Sequence, residues 1–292
     1  MTARAALPTL ADLLALEQVD DSTWRGMTDG VPLPQLFGGQ LVAQSLVAAG
    51  RSVAEHVLPH SIHTSFLRGG LPDEPVDYRV EVLRDGRQTA TREVSAWQGE
   101  RLVCRSTVSS TSLMGGLAHS RPAPATEGVE AAVDLHVLAE PDGGLGEFWD
   151  DFSAFEIRVE PPLVSADHWA SAPQNVWMRC TQDLPDDPLS HRAAIAYASD
   201  LMLMSTAVTP HGHTTGHETS LARRWWAVSL DHAVWFHRDA DAGDWLLFEH
   251  STSAAGGSRA LVDAAVFAPD GTQTCRITQE ALVRPARPHQ EI

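Results

Sequence analysis

The sequence predicts an α+β fold made of two copies of one unit, each a long helix lying on an antiparallel sheet. Three observations carry this prediction. The halves repeat one order of segments, each half holds a single long apolar run, and each run is followed by stretches of period-two alternation. A duplicated pattern constrains the fold more firmly than local propensity, because the same solution has to be met twice.

The first unit opens with a short strand, Thr23-Trp24-Arg25-Gly26-Met27-Thr28, and after a turn-rich stretch enters a helical run from Leu36 to Ala49. No charged residue occurs between Val31 and Gly50, so this helix has to be buried on most sides. A strand ending Ser65-Phe66-Leu67-Arg68 follows, then the alternating run Val76 to Leu83 and turns at Gly86-Arg87 and Gln98-Gly99. The second half repeats the order. Val176 to Thr181 is its first strand, Ala193 to Val208 its helix, and Trp225 to Arg238 a strand ending Trp235-Phe236-His237-Arg238. Ser258-Arg259, the alternating run Leu261 to Phe267, a turn at Asp270-Gly271 and the last strand Cys275 to Val283 complete it. Gly116 to Gly146 is rich in Ala, Pro, Gly and Glu and reads as a connector, while Phe155 to Val159 alternates again. The expected organisation is an N-terminal unit over 1–115, a connector over 116–152 and a C-terminal unit over 153–292.

Composition narrows the function. With 292 residues, 43% of them hydrophobic, the chain can build a sizeable core, and intrinsic disorder is excluded. The net charge of -17 repels phosphate backbones and anionic lipid headgroups, so no nucleic-acid partner is expected. Every basic residue is Arg and none is Lys, which removes Schiff-base chemistry, pyridoxal phosphate attachment and the phosphate-loop lysine. Arg still grips phosphates through its planar fork. The three cysteines, 104, 180 and 275, have no CxxC spacing, so no disulfide framework or zinc ribbon is expected and a reducing cytoplasm fits best. The N-terminal stretch lacks a signal-peptide apolar region, no run of about 20 apolar residues could span a membrane, and the terminal His-Gln-Glu-Ile is no Ser-Lys-Leu peroxisomal address.

Two residues stand out on energetic grounds. Asp200 is the single acid in the apolar run Ala193 to Val208, and a carboxylate buried there is costly unless it is hydrogen-bonded or used. Its bland alternative is a cap or an Arg pair. Along the last strand, alternation places Gln279 inward with Cys275, Ile277, Ala281 and Val283; a buried amide is either a structural crosslink or a holder of substrate or water. Ser229 shares a predicted face with Ala227, Asp231, Ala233 and Trp235, and would bring a hydroxyl to the same cavity, although a lone inward Ser is commonly structural. Because the first helix has no charge, the halves differ chemically and one site per chain is implied.

Sharper-looking motifs weaken on inspection. Gly256-Gly257-Ser258-Arg259-Ala260 approximates a nucleophile elbow, but the repeat places it in a sheet turn. His211, His213 and His217 crowd together in a Gly-rich loop with no carboxylate or Cys ligand at helical spacing, so a solvated loop is favoured over a metal site. Phe37-Gly38-Gly39-Gln40 opens the first helix with glycines that permit close backbone approach, to a ligand or to the packed sheet.

Taken in order, Phe37-Gly38-Gly39-Gln40 with Gln44, His63 to Gly70 and Leu83 to Arg87 resemble the first half of the acyl-CoA thioesterase II (TesB-like) family. Tyr197 to Asp200, Ser229 to Arg238, Ser251 to Ala254 and Gln279-Glu280 resemble its second half. The resemblance implies a double hotdog fold and a water-activating trio of Asp, Thr or Ser, and Gln, here Asp200, Ser229 and Gln279. Ser at the second position departs from the common Thr and loses the methyl that stiffens the rotamer. No cofactor and no metal are implied; the substrate would be an acyl-CoA, and homo-oligomers are expected from fold analogy. Two alternatives follow. A hotdog hydratase or dehydratase would use an acid and a loop His, loosely echoed by Asp186 to His191, and a non-catalytic acyl-thioester-binding protein would have lost the chemistry.

Overall fold

The computed structural model describes residues 7–112, 115–160, 173–213 and 215–286. The terminal segments Met-Thr-Ala-Arg and His-Gln-Glu-Ile lie outside them. The N-terminal unit comprises α1 (Leu10–Leu14), β1 (Glu17–Gln18), β2 (Thr23–Gly26), α2 (Gly38–Arg51), β3 (Leu58–Phe66), β4 (Val76–Asp85), β5 (Thr89–Gln98) and β6 (Arg101–Thr111). Next come β7 (Val133–Asp134), α3 (Leu135–Ala139) and α4 (Glu147–Asp151). The C-terminal unit follows with β8 (Phe155–Val159), β9 (Gln174–Cys180), α5 (Pro188–Ala198), α6 (Leu203–Val208) and α7 (Glu218–Arg224). Its remaining strands are β10 (Trp225–Ser229), β11 (Asp231–Phe236), β12 (Leu246–Gly256), β13 (Arg259–Phe267) and β14 (Gln273–Pro285).

Among the described residues, all strands join one antiparallel 14-stranded sheet in the order β1-β2-β4-β5-β6-β3-β11-β14-β13-β12-β9-β8-β7, with β10 on the far end of β14. The seam between the units is β3 against β11, where Ile62 pairs with Val234 and Thr64 with His232. The sheet wraps α2 and α5, which pack on each other at its centre. As the uncharged run required, α2 is buried along almost its whole length, including Gln40, Gln44 and Ser45. Its amides are answered internally. Gln44 Nε2 donates to the Leu13 and Met27 carbonyls at 2.7 and 3.0 Å, and Tyr78 Oη donates to Gln44 Oε1 at 2.6 Å. The segment between the units also enters the core, through Leu135, Ala139, Leu145 and Phe152.

The second half departs from its predicted elements in two places. First, the run Ala193 to Val208 is not one helix. It breaks after Ala198 and resumes at Leu203, with Met202 in the left-handed region at φ 65°. Side chains make the break locally cheap: Ser205 and Thr206 donate to the Met202 carbonyl, and Ser199 Oγ lies 2.7 Å from that of Ala196. Second, the predicted strand Trp225 to Arg238 is interrupted at Leu230. Ser229 pairs with Ala281 while Ala233 pairs with Thr278, so four residues on one strand face three on the other, a β-bulge. The bulge reverses the parity. His232, Val234 and Phe236 turn inward, Asp231 is exposed, and the predicted common face of Ser229, Asp231, Ala233 and Trp235 does not exist.

Ser258 sits at φ 61° in the tight turn between β12 and β13, with Gly257 at φ 58° beside it. This is a primed hairpin turn, so the elbow-like Gly256 to Ala260 motif joins two paired strands as the repeat predicted.

Wholly buried on β12, His250 has neither ring nitrogen hydrogen-bonded among the described residues, and burial pushes its pKa down to about 3. His250→Leu is expected to stabilise the fold by about 1–3 kcal/mol at pH 7, the usual cost of a desolvated polar group. Unfolding frees the ring to protonate below its ordinary pKa of 6.5, so His250 adds to the wild type's loss of stability as pH falls, a share of the loss that the variant escapes. Their difference should therefore widen by about 2 kcal/mol between pH 7 and pH 5. Denaturant titrations at the two pH values measure it, and a pH-independent difference would contradict this account.

Candidate active site

The helix break places Asp200 against the N-terminus of α2. The residue follows the C-terminal end of α5, its side chain 8% exposed, and Gln279, Ser229 and the Gly39 backbone N–H face it as donors. Gln279 lies inward on β14 as alternation predicted, and its Nε2 donates to Ser229 Oγ, which the bulge leaves at the end of β10. The acid, hydroxyl and amide picked from the sequence are thus neighbours.

Two further contributions were not legible in the sequence. One comes from the other unit. Gly38 and Gly39 form the first turn of α2, where Phe37 supplies no side-chain cap, so first-turn N–H groups are free to act outside the helix. A Cβ on Gly38 would lie 2.5 Å from Asp200 Oδ2, and one on Gly39 would fall on the Tyr197 carbonyl oxygen and the Phe37 ring. The two glycines therefore let the N-terminus of α2 touch the acid, and the Gly-Gly pair in Phe37-Gly38-Gly39-Gln40 was its only trace. The other is His232. Its side chain is fully buried beside Gln279, with Nδ1 3.3 Å from Gln279 Oε1 and 3.9 Å from Asp200 Oδ1, and Nε2 2.7 Å from Ser199 Oγ. Strict alternation pointed it outward, and only the bulge reveals it.

Burial dominates the electrostatics. It raises the Asp200 pKa to about 7, although the hydrogen bonds from Gln279, Gly39 and Ser229 pull in the opposite direction. Burial likewise lowers His232 to about 4, keeping the imidazole neutral. Nearby, Tyr197 donates to Asp29 Oδ2 at 3.1 Å, and burial raises both groups. Phe37, Phe148, Trp149 and Phe152 pack as an aromatic wall against Tyr197, tying the segment between the units to this helix.

Among the described residues the first unit gathers no such site. Phe66 pairs with Cys104 as Phe236 pairs with Cys275, which fixes the equivalence of the two seams. Four residues further along, where the C-terminal unit has His232 beside Gln279, the N-terminal unit pairs Ile62 with Val108.

The remaining motifs find other roles. Asp187 caps α5 by accepting from Ser190 N at 3.0 Å, and His191 Nδ1 accepts from Ala242 N at 3.1 Å, at the opposite end of α5 from Asp200. The hydratase-like acid and His are therefore a helix cap and a loop tie. His213 accepts from Trp225 Nε1 at 2.7 Å, and His217 Nδ1 lies 3.8 Å from Asp142. Among the described residues no group of three or more His, Cys, Asp and Glu side chains is gathered as a metal site would need.

Comparison with known proteins bears on the family. A family model described as acyl-CoA thioesterase matches residues 152–282, and one described as acyl-CoA thioesterase N-terminal domain matches 30–111. Acyl-CoA thioesterase 2 of Haemophilus influenzae is 32% identical over 288 residues, covering 95% of this chain and 98% of that protein. Acyl-coenzyme A thioesterase 8 of Homo sapiens is 32% identical over 287 residues, covering 93% and 88%. The crystal structure of an acyl-CoA thioesterase II, TesB2, from Mycobacterium marinum superposes with a TM-score of 0.80 at 33% identity, over 95% of this chain and 99% of that one. Two joined hotdog units, one polar centre at their junction and these likenesses along nearly the full length place the chain in the acyl-CoA thioesterase family.

Proposed function

We propose that this chain hydrolyses acyl-CoA to free acid and CoA, with Asp200 as general base and Ser229 and Gln279 orienting the attacking water. One observation supports this most: three side chains remote in sequence meet at a buried carboxyl whose pKa of about 7 suits a base at neutral pH. Asp200 takes a proton from the water as its oxygen bonds to the thioester carbonyl carbon. First-turn N–H groups of α2, at the positive end of that helix, answer the charge developing on the carbonyl oxygen. When the tetrahedral intermediate collapses, the C–S bond breaks and the proton held by Asp200 passes to the leaving sulfur. Water is the only nucleophile in this scheme, and the protein forms no covalent bond to the acyl group. In this reading Met202 and Leu203, which follow Asp200 closely in the chain and are buried, line the path of the acyl chain. The three free, buried cysteines support a reducing compartment such as the cytoplasm.

The test is thiol release from short, medium and long acyl-CoAs between pH 5 and pH 9. Only the ionised carboxylate is a base, so kcat/KM should fall on the acid side with a midpoint near the Asp200 pKa of about 7. Well below that pH the slope should approach tenfold per unit. Absence of release from every acyl-CoA by folded protein would refute the hydrolase reading and leave the acyl-thioester-binding one; an acid limb near pH 4 would remove Asp200 from the role of base.

A further inference from the structure

His232 takes no part in the chemistry above, yet it is completely buried and reaches Ser199, Gln279 and Asp200. A count of protons shows what it can do there. An ionised carboxylate only accepts hydrogen bonds, so the Gln279 atom bonded to Asp200 is Nε2, the same atom that donates to Ser229 Oγ. That turns the amide oxygen to His232. An amide oxygen also only accepts, so the imidazole proton sits on Nδ1, 3.3 Å from Gln279 Oε1. A neutral imidazole has a single N–H, so Nε2 accepts, and the Ser199 hydroxyl, 2.7 Å away, is the donor beside it. Ser199 directly precedes Asp200; the Ala196 carbonyl, also 2.7 Å from its hydroxyl, competes with Nε2 for its one proton, and with the imidazole proton held on Nδ1 that proton turns to Nε2. Without a donor at its oxygen, the Gln279 amide can rotate by half a turn, presenting oxygen to Asp200 and withdrawing a donor from the site. The equivalent seam of the N-terminal unit, which lacks the acid, carries Ile62 and Val108 instead.

We propose that His232 is a positioning residue: its Nδ1–H fixes the Gln279 amide with the NH2 group toward Asp200 and Ser229. The proposal rests on the thioesterase reading for its effect on rate, whereas its hydrogen-bond pattern stands independently. The groups facing Asp200 are His232 from β11, Gln279 from β14, Ser229 from β10, the Gly39 N–H from α2 and Tyr197 from α5, which holds Asp29.

Three variants separate positioning from mere packing. His232→Leu removes both nitrogens at similar size, His232→Asn keeps a donor near the place of Nδ1, and His232→Gln reaches instead toward the place of Nε2. All three are compared well below their unfolding midpoints. His232→Leu should lower kcat about 10- to 100-fold with KM changed less than about twofold, the size of effect expected of a misplaced site group. Its acid limb should move to higher pH, because the Gln279 hydrogen bond that lowers the Asp200 pKa is lost. His232→Asn should recover most of the rate and the limb, and His232→Gln should not. An unchanged kcat or an unmoved limb in His232→Leu, or an Asn variant no better than the Gln variant, overturns the proposal. Imidazole nitrogen-15 shifts of the wild type test the pattern without any assay. A protonated Nδ1 and a bare Nε2 are expected; the opposite tautomer refutes the proposal even if no acyl-CoA is hydrolysed, and a wild type releasing no thiol but carrying the expected tautomer refutes only the hydrolase reading.

Discussion

Asp200→Asn should lower thiol release from acyl-CoA by about 100-fold or more while leaving the protein folded. The substitution keeps the side-chain shape, so the Gly39 N–H still finds an acceptor oxygen, but the group that accepts the proton from water is gone. Stability should move the other way. The carboxyl pKa is raised by burial from 3.8 to about 7 in the folded chain, so ionising it opposes folding increasingly as pH rises through that interval and fully above it. A neutral amide escapes that penalty. The variant should therefore melt higher than the wild type at pH 8, with the advantage shrinking toward pH 4. Activity within tenfold of the wild type would show that the base lies elsewhere.

Gly39→Ala should be the most damaging single-atom change in the helices. Alanine ordinarily stabilises a helix interior relative to glycine by about 1 kcal/mol. Here the sign reverses, because the new methyl would fall on the Tyr197 backbone carbonyl and the Phe37 ring. Relief requires α2 to move away from α5, and overpacking of this kind costs about 1–3 kcal/mol. The same movement withdraws the Gly39 N–H from Asp200, so kcat should fall by an order of magnitude or more even in the molecules that fold. Unfolding midpoints and thiol release measured together check both parts. Gly50 supplies a control: a methyl there meets only the Leu189 side chain, which can turn aside, and Gly50→Ala should keep nearly full activity. A stable, active Gly39→Ala protein would mean that the two helices have slack at this crossing.

What the sequence made legible followed from simple periodicities. A lone acid in an apolar run exposed Asp200, alternation in the last strand exposed Gln279, and the repeat of Phe66 and Arg68 as Phe236 and Arg238 exposed the two-unit plan. What it hid came from breaks in those periodicities. A run as apolar as Ala193 to Val208 reads as one helix, and only its Ser199, Ser205 and Thr206 hydroxyls betray an interruption. The extra residue at Leu230 inverts the inward set of β11, so plain alternation points His232 outward and Asp231 inward, the reverse of their places in the fold. The contact of α2 with Asp200 joins residues more than half the chain apart, and glycines announce room for an approach without naming the visitor.

The seam of β3 against β11 has one more consequence. Two identical single-unit subunits meeting across a twofold axis would carry every residue twice, so a His beside a Gln on one side would oblige the same pair on the other. Covalent fusion lifts that obligation. Ile62 and Val108 can be selected purely for adhesion while His232 and Gln279, at matching positions, are kept polar at a cost in burial. The penalty of interring polar groups is thus incurred once per pair of units, and the half without it is free to serve as the anvil against which the other is held.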